Sequence, residues 1–188
     1  MRIAVDIDGV LLDIMVTYCE IFNKKNKTSY QKKDVKNWEF FRDWKITEQE
    51  AYEIFYEIYE DSMLVPFIDI KASSIMKELN KIHEVYIVSA RQPKYRNPIL
   101  KKLRSHNIRK NIQYKELILL HPKPYDIKLK QDFEIYIDDN PNLVDPIKEL
   151  KGRILLLYDQ PWNQDVNVEG NINRVFNWKD IFQFIINL

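Results

Sequence analysis

Short apolar runs alternate along this chain with segments in which apolar residues recur every three or four positions. The apolar runs lie at residues 3–5, 85–88, 117–120, 135–137 and 154–157. Their unbroken hydrophobic character is typical of strands that are buried on both faces, as in a parallel sheet between helices. Segments with helical periodicity separate or follow these runs at residues 72–82, 97–103, 140–150 and 178–185. The alternation predicts an α/β fold with a doubly wound parallel sheet.

The segment between the first apolar run and Pro66 departs from this alternation because it contains helical patterns but no convincing strand. A first helix is expected over about residues 13–24. The stretch Thr47-Glu48-Gln49-Glu50 has the form of a capping box, and an apolar stripe follows it. We therefore predict a small helical cap at 13–66, inserted after the first strand into an α/β core formed by 1–12 and 67–188.

The composition indicates an ordinary globular chain of 188 residues with 45% hydrophobic and 30% charged residues. Its 29 basic and 28 acidic side chains give no electrostatic footprint for a nucleic acid polymer or a membrane surface. The single cysteine, Cys19, excludes an internal disulfide and a cysteine-rich zinc site. We found no secretory signal or membrane-length apolar run, so a cytoplasmic location is expected.

The opening stretch MRIAVDIDGV places two carboxylates, Asp6 and Asp8, directly after the first apolar run. Residues two apart on a strand point to the same face, and the carboxyl ends of parallel strands are where α/β sheets build their sites. Two close carboxylates repel each other unless a cation or a shared proton relieves them. This stretch alone is equally consistent with a metal site and with a solvated Asp-Gly turn.

Further polar residues follow other predicted strands at the same edge of the sheet. Ser89 closes VYIVSAR, Lys123 follows LILLHP, and Asp138-Asp139 close IYIDDNP. Each has an ordinary explanation when taken alone: a turn serine, a solvated lysine and a helix cap before Pro141. Their order along the chain is more specific than any one of them.

In this order, the residues resemble the four motifs of the haloacid dehalogenase-like phosphohydrolases over essentially the whole chain. DIDGV is similar to motif one, VSAR to motif two and IDDNP to motif four. The short helical cap and the later LYDQPWN resemble the 5'(3')-deoxyribonucleotidase branch. Lys123 is the expected motif-three lysine because Lys123-Pro124 closely follows a strand, and Lys128 is the alternative.

The resemblance implies a set of roles for these side chains. Asp6 is the expected nucleophile and a Mg²⁺ ligand. Asp8 is the expected acid and base, and it also offers its backbone carbonyl to Mg²⁺. Asp138 and Asp139 complete the expected metal site. The expected phosphate-binding residues are Ser89, Ala90, Arg91 and Lys123.

The predicted cap is rich in aromatic residues that have two interpretations. Trp38, Phe41, Trp44 and Tyr18 are candidates for a slot that holds a nucleobase or another flat leaving group. Aromatic residues at helical spacing also commonly form a core. We assign Tyr52, Phe55, Tyr56 and Tyr59 to the cap core, and we expect Asp159 and Trp162 to order a loop near the site.

These observations predict a Mg²⁺-dependent phosphomonoesterase that forms an aspartyl-phosphate, most specifically a 5'-nucleotidase acting on (deoxy)ribonucleoside monophosphates. The alternatives are a phosphatase of small sugar phosphates and a non-catalytic phosphate-binding domain of the same fold. A receiver-type signalling domain would lack both the cap and the Asp6-x-Asp8 spacing. The expected partner is a small phosphomonoester, and a homodimer is left open.

Overall fold

A computed structural model describes residues 1–188 and contains one six-stranded sheet in which every strand is parallel to its neighbours. The order across the sheet is β3-β2-β1-β4-β5-β6. The predicted parallel α/β architecture is therefore confirmed. The strands are β1 (Arg2–Val5), β2 (Glu84–Ser89), β3 (Leu117–Leu119), β4 (Ile135–Asp138), β5 (Ile154–Tyr158) and β6 (Ile172–Val175).

The sixth strand, β6, is the one that the apolar pattern does not predict. It has the sequence INRV and lies at the edge of the sheet, where it pairs only with β5. Its two central side chains, Asn173 and Arg174, are partly exposed, whereas Ile172 and Val175 are buried. An edge strand needs fewer apolar side chains than a central one, so its sequence carries a weaker signal.

Six helices accompany the strands, and the predicted helical segments correspond to them. Thr47 and Glu50 form the predicted capping box at the start of the second helix. The helix predicted over residues 97–103 begins at Arg96, directly after a 3₁₀ turn at Pro93–Tyr95. The helices are α1 (Ile14–Asn26), α2 (Glu48–Glu60), α3 (Ala72–Ile82), α4 (Arg96–Ser105), α5 (Val144–Lys148) and α6 (Trp178–Ile186). None of these helices combines the length and the apolar character that crossing a membrane requires.

The side chains of β1 show how the sheet is covered on both faces. Ile3 and Val5 belong to a large apolar cluster that includes residues of α3, α4 and α6, whereas Ala4 belongs to a smaller cluster with α5. This is the alternation expected of a strand whose successive side chains point to opposite faces. Burial on both faces explains why the strand sequences are continuously apolar.

Helices α1 and α2 lie between β1 and β2 in the chain and add no strand to the sheet. Their buried residues, including Tyr18 and Ile54, belong to the same apolar cluster as Ile3 and Val5 of the sheet. The packing is thus continuous from the sheet into this segment. The division into 1–12 with 67–188 and a cap at 13–66 stays a prediction about how the chain is organised.

Candidate active site

Two pairs of aspartates meet at the carboxyl ends of the neighbouring strands β1 and β4. Asp6 follows β1, and its backbone N–H donates to the carbonyl of Ile137 at 2.9 Å, which continues the strand pairing. Asp138 ends β4 and Asp139 follows it. Carboxylate oxygens of Asp6, Asp138 and Asp139 lie within 4.8 Å of one another, and all three residues are buried. The adjacency of β1 and β4 is what converts two distant sequence motifs into one cluster.

Lys128 is the lysine that this cluster contains. Its Nζ lies 2.8 Å from Oδ2 of Asp6 and 2.6 Å from Oδ2 of Asp138, and its side chain is 5% exposed. The expectation for Lys123 is wrong, because its side chain is 54% exposed and pairs with Glu48 at the start of α2. The lysine of the cluster therefore lies five residues further along the chain than predicted. It belongs to a 3₁₀ turn at Ile127–Lys130, in which Lys128 is buried.

Burial and mutual repulsion change the titration of these groups. Burial raises the pKa of Asp6 to about 7; Lys128 opposes this rise, and repulsion from Asp138 and Asp8 adds to it. Burial, followed by repulsion from Asp138 and Asp6, also raises the pKa of Asp139 well above its usual range. Burial alone would lower the pKa of the Lys128 ammonium, but Asp138 and Asp6 together raise it. The cluster therefore holds more negative charge than its one lysine can balance.

The residues fit a divalent cation. Oδ1 of Asp6 and Oδ1 of Asp139 are buried without any hydrogen-bond partner, although buried carboxylate oxygens are normally paired. Three carboxylates against one ammonium leave two negative charges when all are ionised. Mg²⁺ carries two positive charges and prefers carboxylate oxygen ligands. Asp6, Asp138 and Asp139 are the side chains that would hold it.

Asp8 has a different partner from the other carboxylates. The guanidinium of Arg91 donates from Nε to Oδ2 of Asp8 at 2.7 Å and from Nη2 to Oδ1 at 2.6 Å. Its Nη1 donates to Oγ of Ser62 at 2.7 Å, and its Cζ lies 4.3 Å from the ring centroid of Tyr59. Arg91 was expected to bind phosphate, but these contacts occupy it within the protein. It joins Asp8 to α2 and to the turn that follows α2.

Gly9 has no side chain, and the carboxylate of Asp139 occupies the space that a side chain there would fill. It has a φ of +81°, and a Cβ atom at this position would lie 2.0 Å from Oδ2 of Asp139. A side chain here would therefore be strained in its backbone and would also displace a carboxylate. The glycine of DIDGV is thus explained by close packing as well as by its turn.

The loop after β5 supports the cluster from a third direction, as the stretch LYDQPWN suggested. Trp162 donates from Nε1 to Oδ2 of Asp139 at 3.0 Å, and Asn163 donates from Nδ2 to the backbone carbonyl of Asp139 at 2.9 Å. Gln160 donates from Nε2 to the carbonyl of Gly9 at 2.7 Å. Gln160 and Asn163 were not predicted as site residues, because their only sequence signal is their position after an apolar strand.

A cleft opens above the aspartates, and its walls come largely from the 13–66 segment. Asp6, Asp8 and Lys128 line it together with Ser89 and Ala90 at the end of β2. Trp38 and Phe41 also line it, in agreement with the slot hypothesis. The aromatic residues that line it without having been predicted to do so are Phe40, Tyr52, Phe55, Tyr59, Tyr125 and Trp162.

The other two predicted slot residues, Trp44 and Tyr18, do not line the cleft. Trp44 is 8% exposed and stacks on Tyr30 with ring centroids 4.1 Å apart. Tyr18 is fully buried and packs against Phe40 and Phe55 at 5.1 and 4.7 Å. The expectation for these two side chains is wrong because the inward stripes of the cap helices form an aromatic core. Trp44 lies in the same turn-rich connection between α1 and α2 as Trp38 and Phe41, but its ring packs inward against Phe22 and Tyr30.

The family described as 5' nucleotidase, deoxy (pyrimidine), cytosolic type C matches the chain over residues 1–188. The chain belongs to this family. It is accordingly a phosphoric monoester hydrolase. None of the curated proteins matches it in sequence.

Solved structures similar to this nucleotidase family member share its fold at low sequence identity. A predicted phosphoglycolate phosphatase from Haemophilus somnus is 14% identical with a TM-score of 0.63, covering 98% of this chain and 97% of its own. L-2-haloacid dehalogenase from Xanthobacter autotrophicus, with chloropropionic acid covalently bound, is 11% identical with a TM-score of 0.59, covering 100% and 98%. A magnesium-bound HAD-hydrolase from Bacillus subtilis is 13% identical with a TM-score of 0.57, covering 100% and 98%. These likenesses establish the haloacid dehalogenase-like fold.

The two lysines provide a matched test of the charge balance. Lys128→Met leaves the buried carboxylates without their cation, and breaking a buried pair in this way costs about 3–5 kcal/mol. Lys123→Met removes an exposed pair, which contributes about 0–1 kcal/mol. We expect a large loss of unfolding free energy and of phosphate release for Lys128→Met only. Equal effects of the two substitutions, by urea denaturation and phosphate assay, would contradict the placement of Lys128.

Proposed function

We propose that this protein is a Mg²⁺-dependent 5'-nucleotidase that hydrolyses (deoxy)ribonucleoside monophosphates through an aspartyl-phosphate. The observation that carries the proposal is the position of the buried carboxylate cluster at the floor of a cleft with aromatic walls. The cluster suits a phosphate group, and the walls suit a flat group beyond it. The family description, with its cytosolic type, supports both the nucleotide substrate and a cytosolic location.

Asp6 is the proposed nucleophile. One of its carboxylate oxygens attacks phosphorus, the bond to the nucleoside oxygen breaks, and the phosphoryl group becomes attached to Asp6. The Asp6 carboxylate and the phosphate group are both negatively charged and repel each other. The attack therefore requires positive charge beside Asp6. Lys128 supplies part of this charge at 2.8 Å. Mg²⁺, when bound, would neutralise the remaining charge and orient the phosphate.

Ser89 and Ala90 are the proposed phosphate-binding groups at the end of β2. Both line the cleft beside Asp6, and the Ser89 residue is almost fully buried. The Ser89 hydroxyl and the backbone N–H groups of this turn are donors of the kind that hold phosphoryl oxygens. Lys128 replaces Lys123 in this proposed set.

Asp8 is the proposed proton carrier of the reaction. In the first step, its carboxyl group gives a proton to the departing nucleoside oxygen; in the second, its carboxylate takes a proton from the attacking water. That water attacks phosphorus, the bond to Asp6 breaks, and inorganic phosphate is released. Arg91 holds Asp8 by two hydrogen bonds. We therefore propose Arg91 as a positioning residue that orients the Asp8 carboxylate. We also propose that the backbone carbonyl of Asp8 is a ligand that would hold Mg²⁺.

The aromatic walls are the proposed nucleobase site. Trp38 and Phe41 are half-buried side chains of the cleft, and Trp38 meets Tyr125 edge to face with ring centroids 6.1 Å apart. A base that stacks on an aromatic ring gains about 1–3 kcal/mol. A small sugar phosphate would leave these rings without a partner, so the walls favour a nucleotide over that alternative.

The nucleophile assignment is tested by Asp6→Asn. An amide is a poor nucleophile, so this variant should release no phosphate from nucleotides while keeping the wild-type circular dichroism spectrum. Rapid acid quench of the wild type during turnover should trap phosphate on the Asp6 peptide, identified by mass spectrometry. Asp145→Asn, in an exposed helix position, is the control that should retain activity. Activity in Asp6→Asn near that of the control would rule out the mechanism.

The nucleobase site is tested by comparing Trp38→Ala with Trp44→Ala. Loss of a stacking surface at Trp38 should lower kcat/KM for nucleotides by the equivalent of about 1–3 kcal/mol while barely changing kcat/KM for a small phosphate ester. Loss of the buried Trp44 should instead lower stability by about 3–5 kcal/mol and affect both substrates alike. Melting temperatures measured beside both kcat/KM values separate the two effects. An unchanged substrate ratio in Trp38→Ala would favour a general phosphatase.

A further inference from the structure

A second cleft lies at the edge of the sheet, between α4 and the loop that leads into β3. Its charged lining residues are Arg96, Arg104, Arg109 and Lys110, and the apolar residues Leu100 and Leu117 also line it. It shares no lining residue with the catalytic cleft. No acidic side chain lines it, although the chain as a whole carries a net charge of only +1.

The arginines that line this cleft differ from the other arginines of the chain in having no carboxylate partner. The sequence contains eight arginines, and five of them form ion pairs with carboxylates: Arg2, Arg42, Arg91, Arg153 and Arg174. The three that form none are Arg96, Arg104 and Arg109, and all three line this one cleft. Lys110, beside them, has no acidic partner either. The cleft therefore concentrates positive charge that the protein does not neutralise.

The backbone that presents these charges is well tied to the rest of the protein. Nη2 of Arg96 donates to the carbonyl of Leu117 at 2.9 Å, and Oε1 of Gln113 accepts from the backbone N–H of Arg109 at 2.9 Å. Asn80 of α3 donates from Nδ2 to the carbonyl of Ile112 at 3.1 Å. The side chains of Arg104, Arg109 and Lys110, in contrast, make no hydrogen bond within the protein. The side-chain N–H groups of these three residues are therefore available to a ligand, while the backbone that carries them is held in place.

We propose that this cleft is a binding site for a small oligophosphate, with at least two linked phosphate groups, separate from the catalytic site. Guanidinium groups donate in a planar fork that matches phosphate oxygens, and several of them converge here on one concave surface. A cleft lined by only seven residues suits a compact anion. The near-neutral charge of the whole chain argues against a nucleic acid polymer, which requires a longer basic track.

The test is isothermal titration calorimetry with the Mg²⁺-free protein, using tripolyphosphate, ATP and inorganic phosphate as probes. Without Mg²⁺, the catalytic cleft lacks the cation proposed to hold phosphate there, and binding that depends on Arg104 and Arg109 reports on the second cleft. We expect one tripolyphosphate to bind and Arg104→Gln/Arg109→Gln to weaken it roughly 10- to 100-fold. Lys24→Gln/Lys179→Gln removes the same charge from exposed positions elsewhere and should leave the affinity within about twofold of the wild type.

The remaining comparisons identify what the cleft recognises. Arg104→Lys/Arg109→Lys keeps the charge without the fork, so an intermediate affinity supports recognition by guanidinium geometry. Equal affinities for tripolyphosphate and ATP indicate an inorganic or phosphate-only ligand, and tighter binding of ATP indicates a nucleotide. Circular dichroism and phosphate release from a nucleotide, both unchanged in the Gln variant, show that it is folded and that the catalytic site is intact.

Three results would overturn the proposal. The first is the absence of tripolyphosphate binding to the wild type. The second is an affinity that the two arginine substitutions leave unchanged, or that the Lys24 and Lys179 control lowers equally. The third is tighter binding of a single-stranded oligonucleotide than of tripolyphosphate, which would assign the cleft to a polymer.

Discussion

The packing of three buried carboxylates around one buried ammonium is the constraint on which the rest of the site depends. Asp6 and Asp138 come from adjacent strands, and Asp139 follows directly, so the sheet order forces the three together. Lys128 neutralises one charge and leaves two. Buried charges without partners cost several kcal/mol each, so the arrangement is stable only if it is protonated or binds cations. A divalent cation would supply the two positive charges that the ionised cluster lacks.

Much of the surrounding structure serves to keep these carboxylates in place. Gly9 gives Asp139 the space it needs, and Gln160 holds the carbonyl of that glycine. Trp162 donates to one oxygen of Asp139 and leaves the other without a partner. The fixed oxygen orients the carboxylate, and the free one remains available to a cation. Support of this kind around metal ligands tunes both affinity and geometry.

Asp8, the proposed proton carrier, is held separately from the cluster of Asp6, Asp138 and Asp139. Arg91 binds Asp8 with two donors and reaches Ser62 with a third, and the ring of Tyr59 lies over its guanidinium. Ser62 and Tyr59 belong to the segment that supplies the walls of the cleft. A change in the position of that segment would therefore act directly on the Asp8 carboxylate.

The parallel sheet could be predicted because its strands have a local sequence signal. The shared edge of the aspartates follows from that sheet, whereas their close approach depends on β1 lying beside β4, which local sequence does not encode. Continuous apolar runs mark central strands, and residues just after them share one edge. β6 was missed because an edge strand needs less apolar sequence. Lys123 was preferred because distance from a strand end was the only criterion, whereas the 3₁₀ turn that buries Lys128 has no comparable sequence signal. Trp38 and Trp44 lie in the same connection, and their sequence context does not show which of the two is buried. The burial of Trp44 depends on how α1 packs against α2.

We propose that the cluster of Asp6, Asp138 and Asp139 is arranged to bind a divalent cation. The pKa of Asp6 is about 7 in the folded chain and about 3.9 in an unfolded one. Between these two pH values, the folded chain holds a proton on Asp6 that the unfolded chain has lost. The free energy of unfolding of the metal-free protein therefore falls as the pH rises from about 4 to about 7. Mg²⁺ bound by Asp6 would oppose this loss and would have to displace the same proton.

Calorimetric titration of the metal-free protein with Mg²⁺ at about pH 5.5 and about pH 8 tests this claim most directly. Repeating each titration in buffers with different ionisation enthalpies measures the protons released. We predict one Mg²⁺ per chain, tighter binding at the higher pH, and more protons released per Mg²⁺ at the lower pH. Absence of Mg²⁺ binding at both pH values, or binding with the same affinity in Asp6→Asn, would contradict the account.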